Sequence, residues 1–240
     1  MSGHSKWASI KHKKGATDQR RGILFSKISK NIIIAAKHGG GDPATNLTLR
    51  LAIDAARSAN MPNDNIKRAI DRATGKADGA QIEEVLYEGF GPGGIALLVS
   101  TTTDNKNRTT SNVRHLFSKY GGSMGTANSV AWMFEQRGVI RIEKPASIDE
   151  DDFQLQLIDA GAEDISVSDD GIRITTSPAD LIKIKTAVEN MSIPVEYAQI
   201  EFIPKQTISI DAESQSKIDT FFEILEEDED VSNYYSNVEE

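Results

Sequence analysis

The sequence predicts an α+β fold: an N-terminal three-helix module followed by two α/β domains of ferredoxin-like character, the last inserted into the middle one. Three observations carry this. Capping and stop signals punctuate residues 17–75 into helices, an apolar β-branched run at 94–103 opens an alternation of strands and helices, and residues 137–204 read as a self-contained βαββαβ series with strand and helix signals on either side. The predicted domains are therefore 1–79, a discontinuous α/β domain of 80–136 plus 205–240, and the insertion at 137–204. At 240 residues, with 38% hydrophobic and 26% charged side chains, the chain can bury more than one core. The absence of cysteine excludes disulfides and thiolate metal sites and suits a reducing compartment. No run approaches the roughly 20 apolar residues of a membrane helix, and the basic start is not followed by the apolar segment of a signal peptide. A cytoplasmic protein with no membrane partner is expected.

The helical module comes first. Thr17 or Asp18 can cap a helix that stops at the Gly39, Gly40, Gly41 triplet; Asp42 and Pro43 suggest a second start, running to about Asn60; Asn63 caps a third that ends at Gly75. At about 100° per residue the first helix is two-sided. Leu24, Phe25, Ile28, Ile32, Ala35 and Ala36 share one side, and Arg20, Lys27, Lys30 and Lys37 the other. The third repeats this, with Ile66, Ala69, Ile70 and Ala73 opposite Arg68, Arg72 and Lys76.

The α/β part begins with a strand at 94–103, a helix at 107–120 and a strand at 129–134. The insertion follows as a strand at 138–142, a helix at 150–160, strands at 165–167 and 172–175, a helix at 179–191 and a strand at 195–202. A strand at 207–210, a helix at 214–225 and a short strand through Tyr234 and Tyr235 return the chain to the middle domain.

Charge is distributed unevenly over this plan. Residues 1–76 hold 15 Lys and Arg against five acids, a balance of +10, whereas the other 164 hold 12 against 31, a balance of −19. Such a chain should meet a polyanion by its N-terminal end. Lysines solvating the outside of a bundle are the plain alternative, but solvated helix faces intersperse both signs and these are almost purely cationic. In the opening segment Lys6, Lys11, Lys13 and Lys14 surround Trp7, with His12 beside them, which joins cations to a stacking surface. The alternative is that Trp7 tucks onto the helices. The predicted nucleic-acid contacts are Lys6, Trp7, Lys11, His12, Lys13, Lys14, Arg20, Arg21, Lys27 and Lys30, with Arg68, Arg72, Asn105 and Arg108 as secondary candidates. The last two belong to 103–109 (TDNKNRT), where amide and guanidinium donors suit phosphate or base edges and a helix-capping turn is an equal reading.

Other motifs do not rise to chemistry. Gly89, Gly91 and Gly94 match G-x-G-x-x-G, but a strand follows them where a dinucleotide site needs a helix N-terminus. His4, His12, His38 and His115 have no metal-ligand spacing. The acidic runs at 149–152 and 226–230 lack a calcium loop's alternating ligands and read as solvated helix ends. No nucleophile elbow or phosphate loop is present. No catalytic residue, metal or cofactor is expected. An enzyme in a cleft between the α/β domains would instead require perturbed carboxylates converging in a pocket.

GHSKWASIKHKK, GGGDPATN, NMPNDNIKRAI, YEGFGPGG and TDNKNRT, in that order, resemble the YebC/PmpR family. The likeness is dense to about residue 135 and continues more loosely to NYYSN near residue 237. It implies three domains, one helical and two α/β, in cytoplasmic, non-enzymatic regulators long labelled DNA-binding transcriptional regulators. It equally implies kinship with a mitochondrial translational activator of cytochrome c oxidase subunit I and with bacterial proteins linked to ribosomes stalled on proline-rich sequence. The partner is thus DNA or ribosomal RNA. DNA readout would need an element entering a major groove, and none is evident, since Arg68, Arg72 and Lys76 look like backbone contacts.

Overall fold

The computed structural model describes residues 18–75, 82–145, 150–168 and 171–239, without the side chains of 18–20 and 150. The architecture is α+β: three helices, then two four-stranded antiparallel sheets with helices. In chain order these are α1 (Asp18–Gly39), α2 (Leu47–Ser58), α3 (Asn63–Ala73), β1 (Glu83–Phe90), β2 (Ala96–Thr103), α4 (Lys106–Lys119) and β3 (Ser123–Met124). There follow β4 (Phe134–Ile142), α5 (Glu150–Ala160), β5 (Asp164–Ser168), β6 (Gly171–Thr176), α6 (Leu181–Asn190), β7 (Tyr197–Pro204), α7 (Ala212–Glu227) and β8 (Val231–Ser236). Two compact units result: residues 134–203, and the segments on either side of them taken together.

The helices start and stop for local reasons. Asp42 does not cap α2, as the sequence suggested. Its carboxylate accepts the Ala44 N–H at 2.8 Å and its carbonyl those of Thr45 and Asn46, closing a turn around Pro43. The cap is Asn46, which is buried. Its Oδ1 accepts the Leu49 N–H at 3.0 Å, while its Nδ2 donates to the carbonyls of Ala35 and Gly40, each at 2.7 Å. One buried amide therefore ends α1 and begins α2. Asn63 is the first residue of α3, not its cap; Pro62 precedes it and its carbonyl accepts from Asn65 and Ile66.

The first sheet has the order β3-β1-β2-β8, antiparallel throughout. Tyr87, Leu97 and Val99 point to one side and form a core with Val113 and Phe117 of α4 and Ile218, Phe221 and Phe222 of α7. Phe117 meets Phe221 edge-on at 5.4 Å between ring centres, and Tyr120 stacks on Phe221 at 5.7 Å. Strand β1 was not anticipated, although Val85, Leu86 and Tyr87 form an apolar run flanked by glutamates. The glycine triplet lies in and after it: a Cβ at Gly89 would come within 2.4 Å of the Ser123 carbonyl oxygen, and Gly93, at φ 69°, turns the β1–β2 hairpin. These glycines serve a hairpin and a tight strand contact.

Two further expectations are corrected. Residues 129–133 are a loop ending in a short 3-10 turn (Ala131–Met133), and only Phe134 is strand, as the start of β4. Residues 207–210 contribute a single parallel bridge, Ile208 to Val238, rather than a strand.

Helix α1 is more central than a two-sided helix. Ile33 and Ile34 are buried along with Ile32, Ala35 and Ala36, because α2 and α3 pack on it and it also touches β2 and β8.

In the unit of residues 134–203 the strand order is β5-β6-β4-β7, the arrangement of a βαββαβ ferredoxin-like sheet. Ile140 pairs with Ile174 and Ile142 with Ile172; all four are buried, as are Phe153 and Leu157 of α5 and Leu181, Ile184 and Val188 of α6. That is the pattern of a sheet carrying two helices on one face.

Candidate nucleic-acid interface

Lys6, Trp7, Lys11, His12, Lys13 and Lys14 lie outside the described residues, as does the side chain of Arg20. Arg21 is exposed near the start of α1. On α3, Arg68 and Arg72 are exposed one turn apart with Lys67 beside them, while Ile66 and Ala69 face the core.

Lys27 and Lys30 are not where the two-sided helix put them. Lys27 Nζ donates to the Glu226 carbonyl oxygen at 2.6 Å, and Lys30 Nζ donates to the Glu229 carbonyl oxygen at 2.9 Å and to Asp230 Oδ1 at 2.7 Å. This part of the basic face of α1 is turned onto the end of α7 and the acidic turn that leads to β8. Secondary candidates Asn105 and Arg108 are used in the same place. Asn105 caps α4 by accepting the Arg108 N–H at 3.1 Å, and the Arg108 guanidinium bridges Asp104 at 2.8 Å and Asp230 at 3.0 Å. Residues 103–109 thus form a helix-capping turn.

Asp230 is the hub. Besides the two cations it accepts from the Thr109 hydroxyl at 2.8 Å, and its carbonyl accepts the Thr102 N–H at 2.8 Å. Burial opposes its charge, yet the hydrogen bonds from Lys30, Thr109 and Arg108 outweigh burial and hold the carboxyl below the ordinary aspartate range. Asp228 supports the turn by accepting the N–H groups of Asp230 and Val231 and the amide of Asn112. The Glu226 carboxylate accepts from Tyr234, whose phenol is pushed well above its usual range by burial and by that carboxylate. Residues 226–230 are thus a docking platform, not the solvated helix end the sequence suggested. A run of acids carries no mark of its partners when the cations that meet it lie some 200 residues away.

Around this platform lies a cleft of about 500 Å³ bordered by Ser26, Ser29, Lys30, Arg72, Arg108 and Asn112 as well as the acidic turn. Asp230, on this cleft, is held in its charged form by cations, the opposite of a general acid. Among the described residues no group of three or more His, Cys, Asp or Glu could hold a metal ion, and no helix is long and apolar enough to cross a membrane.

A second feature escaped the sequence. The Glu88 carboxylate, on the face of β1 away from α4 and α7, accepts three backbone N–H groups, from Asn128 at 2.7 Å, Val130 at 3.0 Å and Ala131 at 2.7 Å. Burial raises its proton affinity, but the N–H groups of Val130, Asn128 and Ala131 prevail and keep it below the usual glutamate value. Glu88→Gln keeps the shape and removes one acceptor, so about 1–2 kcal/mol of stability should be lost, read by denaturant unfolding at pH 7. Because the folded pKa is depressed, the difference from wild type is full above the unfolded pKa of about 4.3 and shrinks as pH falls below it. A constant difference down to pH 3 would contradict the charge assignment.

A family profile described as the TACO1/YebC protein N-terminal domain matches residues 5–76, and one described as the TACO1/YebC second and third domain matches 82–238. The chain is 49% identical over 239 residues to a probable transcriptional regulatory protein of Thermoanaerobacter pseudethanolicus, covering 100% of this chain and 97% of that one. It is 50% identical over 240 residues to one of Chlorobaculum tepidum, covering 100% and 95%. The crystal structure of a conserved hypothetical protein of Aquifex aeolicus matches with a TM-score of 0.87 at 43% identity, over 98% of this chain and 97% of that chain.

Proposed function

The chain belongs to the TACO1/YebC family, and from that premise we propose that it is a non-enzymatic, cytoplasmic regulator of gene expression that binds nucleic acid through its N-terminal module. The observation that carries this is the separation of charge, +10 over residues 1–76 against −19 over the rest. Two of those cations, Lys27 and Lys30, are consumed in holding the module to its neighbour. The contact surface is therefore the opening segment with Lys6, Trp7, Lys11, His12, Lys13 and Lys14, continued by Arg20, Arg21 and the exposed Arg68 and Arg72. The relatives' names, probable transcriptional regulatory proteins, favour transcription, for which the partner would be DNA. The single aromatic within the basic arm favours a second reading, a translation factor on folded or unpaired RNA such as ribosomal RNA, because stacking needs an unstacked base.

Crosslinking in living cells followed by sequencing of both bound RNA and bound DNA separates the two. Discrete promoter peaks support the transcriptional reading, and dominance of ribosomal RNA ends it. In vitro, neutralising about five phosphates should give a log–log salt slope near −4.5 on duplex DNA and about −3.5 on a single strand. A slope near zero would end both readings.

A further inference from the structure

We infer that the acidic turn at 226–230 is a built-in competitor of nucleic acid: in the free chain it occupies Lys27 and Lys30 of α1, and a bound strand displaces it, so that the two ammonium groups pass from the turn to phosphates. This rests on the nucleic-acid reading above and adds to it a closed and an open arrangement of the helical module. The joint between the module and its neighbour is polar. Buried apolar residues of the module, from Ile28 to Ala69 with Ile82, form one core, and those of the first sheet with α4 and α7 form another; among the described residues none belongs to both. What crosses from one to the other at the turn is ionic: Lys27 donates to the Glu226 carbonyl, and Lys30 to the Glu229 carbonyl and the Asp230 carboxylate. Two cores joined by polar contacts move relative to one another more readily than one continuous core. The cleft of about 500 Å³ beside the joint already separates Ser26, Ser29 and Arg72 of the module from Arg108, Asn112 and Asp228.

The turn offers these ammonium groups what a nucleic-acid backbone offers. Three of its oxygens, two on neutral carbonyls and one on a carboxylate, meet two lysines that accept any oxyanion. Phosphate oxygens carry more charge than a carbonyl and make the stronger bond, so the exchange favours a strand that is already held close by. Until the joint opens, the way is barred. The Lys30 and Asp230 side chains are only 18% and 13% exposed, and Asp104, Asp228 and Glu229 around the cleft repel phosphate. Closure therefore taxes binding, because the observed affinity is that of the open arrangement multiplied by the fraction of molecules in it.

The test places nitroxide labels on the full chain at Ser58→Cys of α2 and Ser118→Cys of α4, both exposed, in a sequence with no other cysteine. Pulsed electron paramagnetic resonance reads the distance between them, and anisotropy of a labelled mixed-sequence RNA strand of 20 nucleotides, or of the matching DNA duplex, reads binding. Saturating nucleic acid should shift or broaden the distance distribution of the free chain, a measurement that needs no change in the turn itself. Asp230→Asn should produce part of that change without nucleic acid and tighten binding about three- to tenfold. Glu213→Gln removes the same charge at the other end of α7, where the side chain is 82% exposed, and should alter affinity by less than about twofold. In a Lys30→Met background Asp230→Asn should bring no gain. Binding with an unchanged distance distribution overturns this inference and leaves the basic module's role standing, as does a gain from Asp230→Asn that survives Lys30→Met. No binding by anisotropy to either probe overturns the nucleic-acid reading and this inference with it.

Discussion

Replacing Lys11, Lys13 and Lys14 together by glutamate is expected to weaken nucleic-acid binding by about three orders of magnitude, roughly tenfold for each phosphate contact removed. The change should also flatten the salt dependence. If five contacts fall to two, the log–log slope on duplex DNA should move from about −4.5 to about −1.8. The fold should be unaffected, since the opening segment's sequence lacks the apolar periodicity of a core helix, and circular dichroism and thermal unfolding would report this. Affinity within threefold of wild type, on a folded variant, would move the contact surface away from the arm.

Asp230→Asn should produce the largest loss of stability, about 2–3 kcal/mol, corresponding to a fall in Tm of about 5–10 °C. The substitution preserves volume, so no cavity is made. What is lost is the charge that holds Lys30 at 2.7 Å and Arg108 at 3.0 Å, together with an acceptor for Thr109. Lys30 is the partner that suffers, at 18% side-chain exposure, while Arg108 at 54% can turn to water. A double-mutant cycle with Lys30→Met should show coupling of about 1 kcal/mol or more. The sign of the pH dependence is fixed by the depressed carboxyl. Its contribution is complete above the unfolded pKa of about 3.9 and disappears as pH falls through the lower folded value, so wild type and variant should converge in acid. A loss below 0.5 kcal/mol would show that residues 226–230 do not anchor the helical module.

These two sites mark what a sequence can and cannot disclose here. The helices of the module and the βαββαβ order of the insertion were legible because they are written in local chemistry: glycine stops, polar caps and periods of 3.6 and 2. Asp42 misled because Asx turns and helix caps draw on the same short polar side chains, and only the reach of Asn46 to Ala35 and Gly40 decides between them. Lys27 and Lys30 misled because a helix wheel has no knowledge of a second layer. Buried Ile33 and Ile34, on what a single amphipathic stripe makes the wrong side, were the available hint that α1 is covered from more than one direction. Glu88 left no local trace. A glutamate alternating with apolar residues looks like any solvent-facing strand position, and the three amides that it satisfies lie 40 or more residues further on.

The insertion also changes the length of the loop that the larger unit must close. Ala96 at the head of β2 finds its partner Asn237 across 141 residues, so until that pairing is made β2 has an open, apolar edge of the kind that invites association with other chains. The inserted unit shortens the search. Its first and last strands are neighbours in one sheet, and Met133 and Lys205, just outside them, are joined by a backbone hydrogen bond of 2.9 Å. Once the insertion has folded, the effective loop that β2 and β8 must close is roughly halved, which reduces the closure entropy by about 0.6 kcal/mol. Folded, residues 134–203 thus act as a staple across the chain on either side of them.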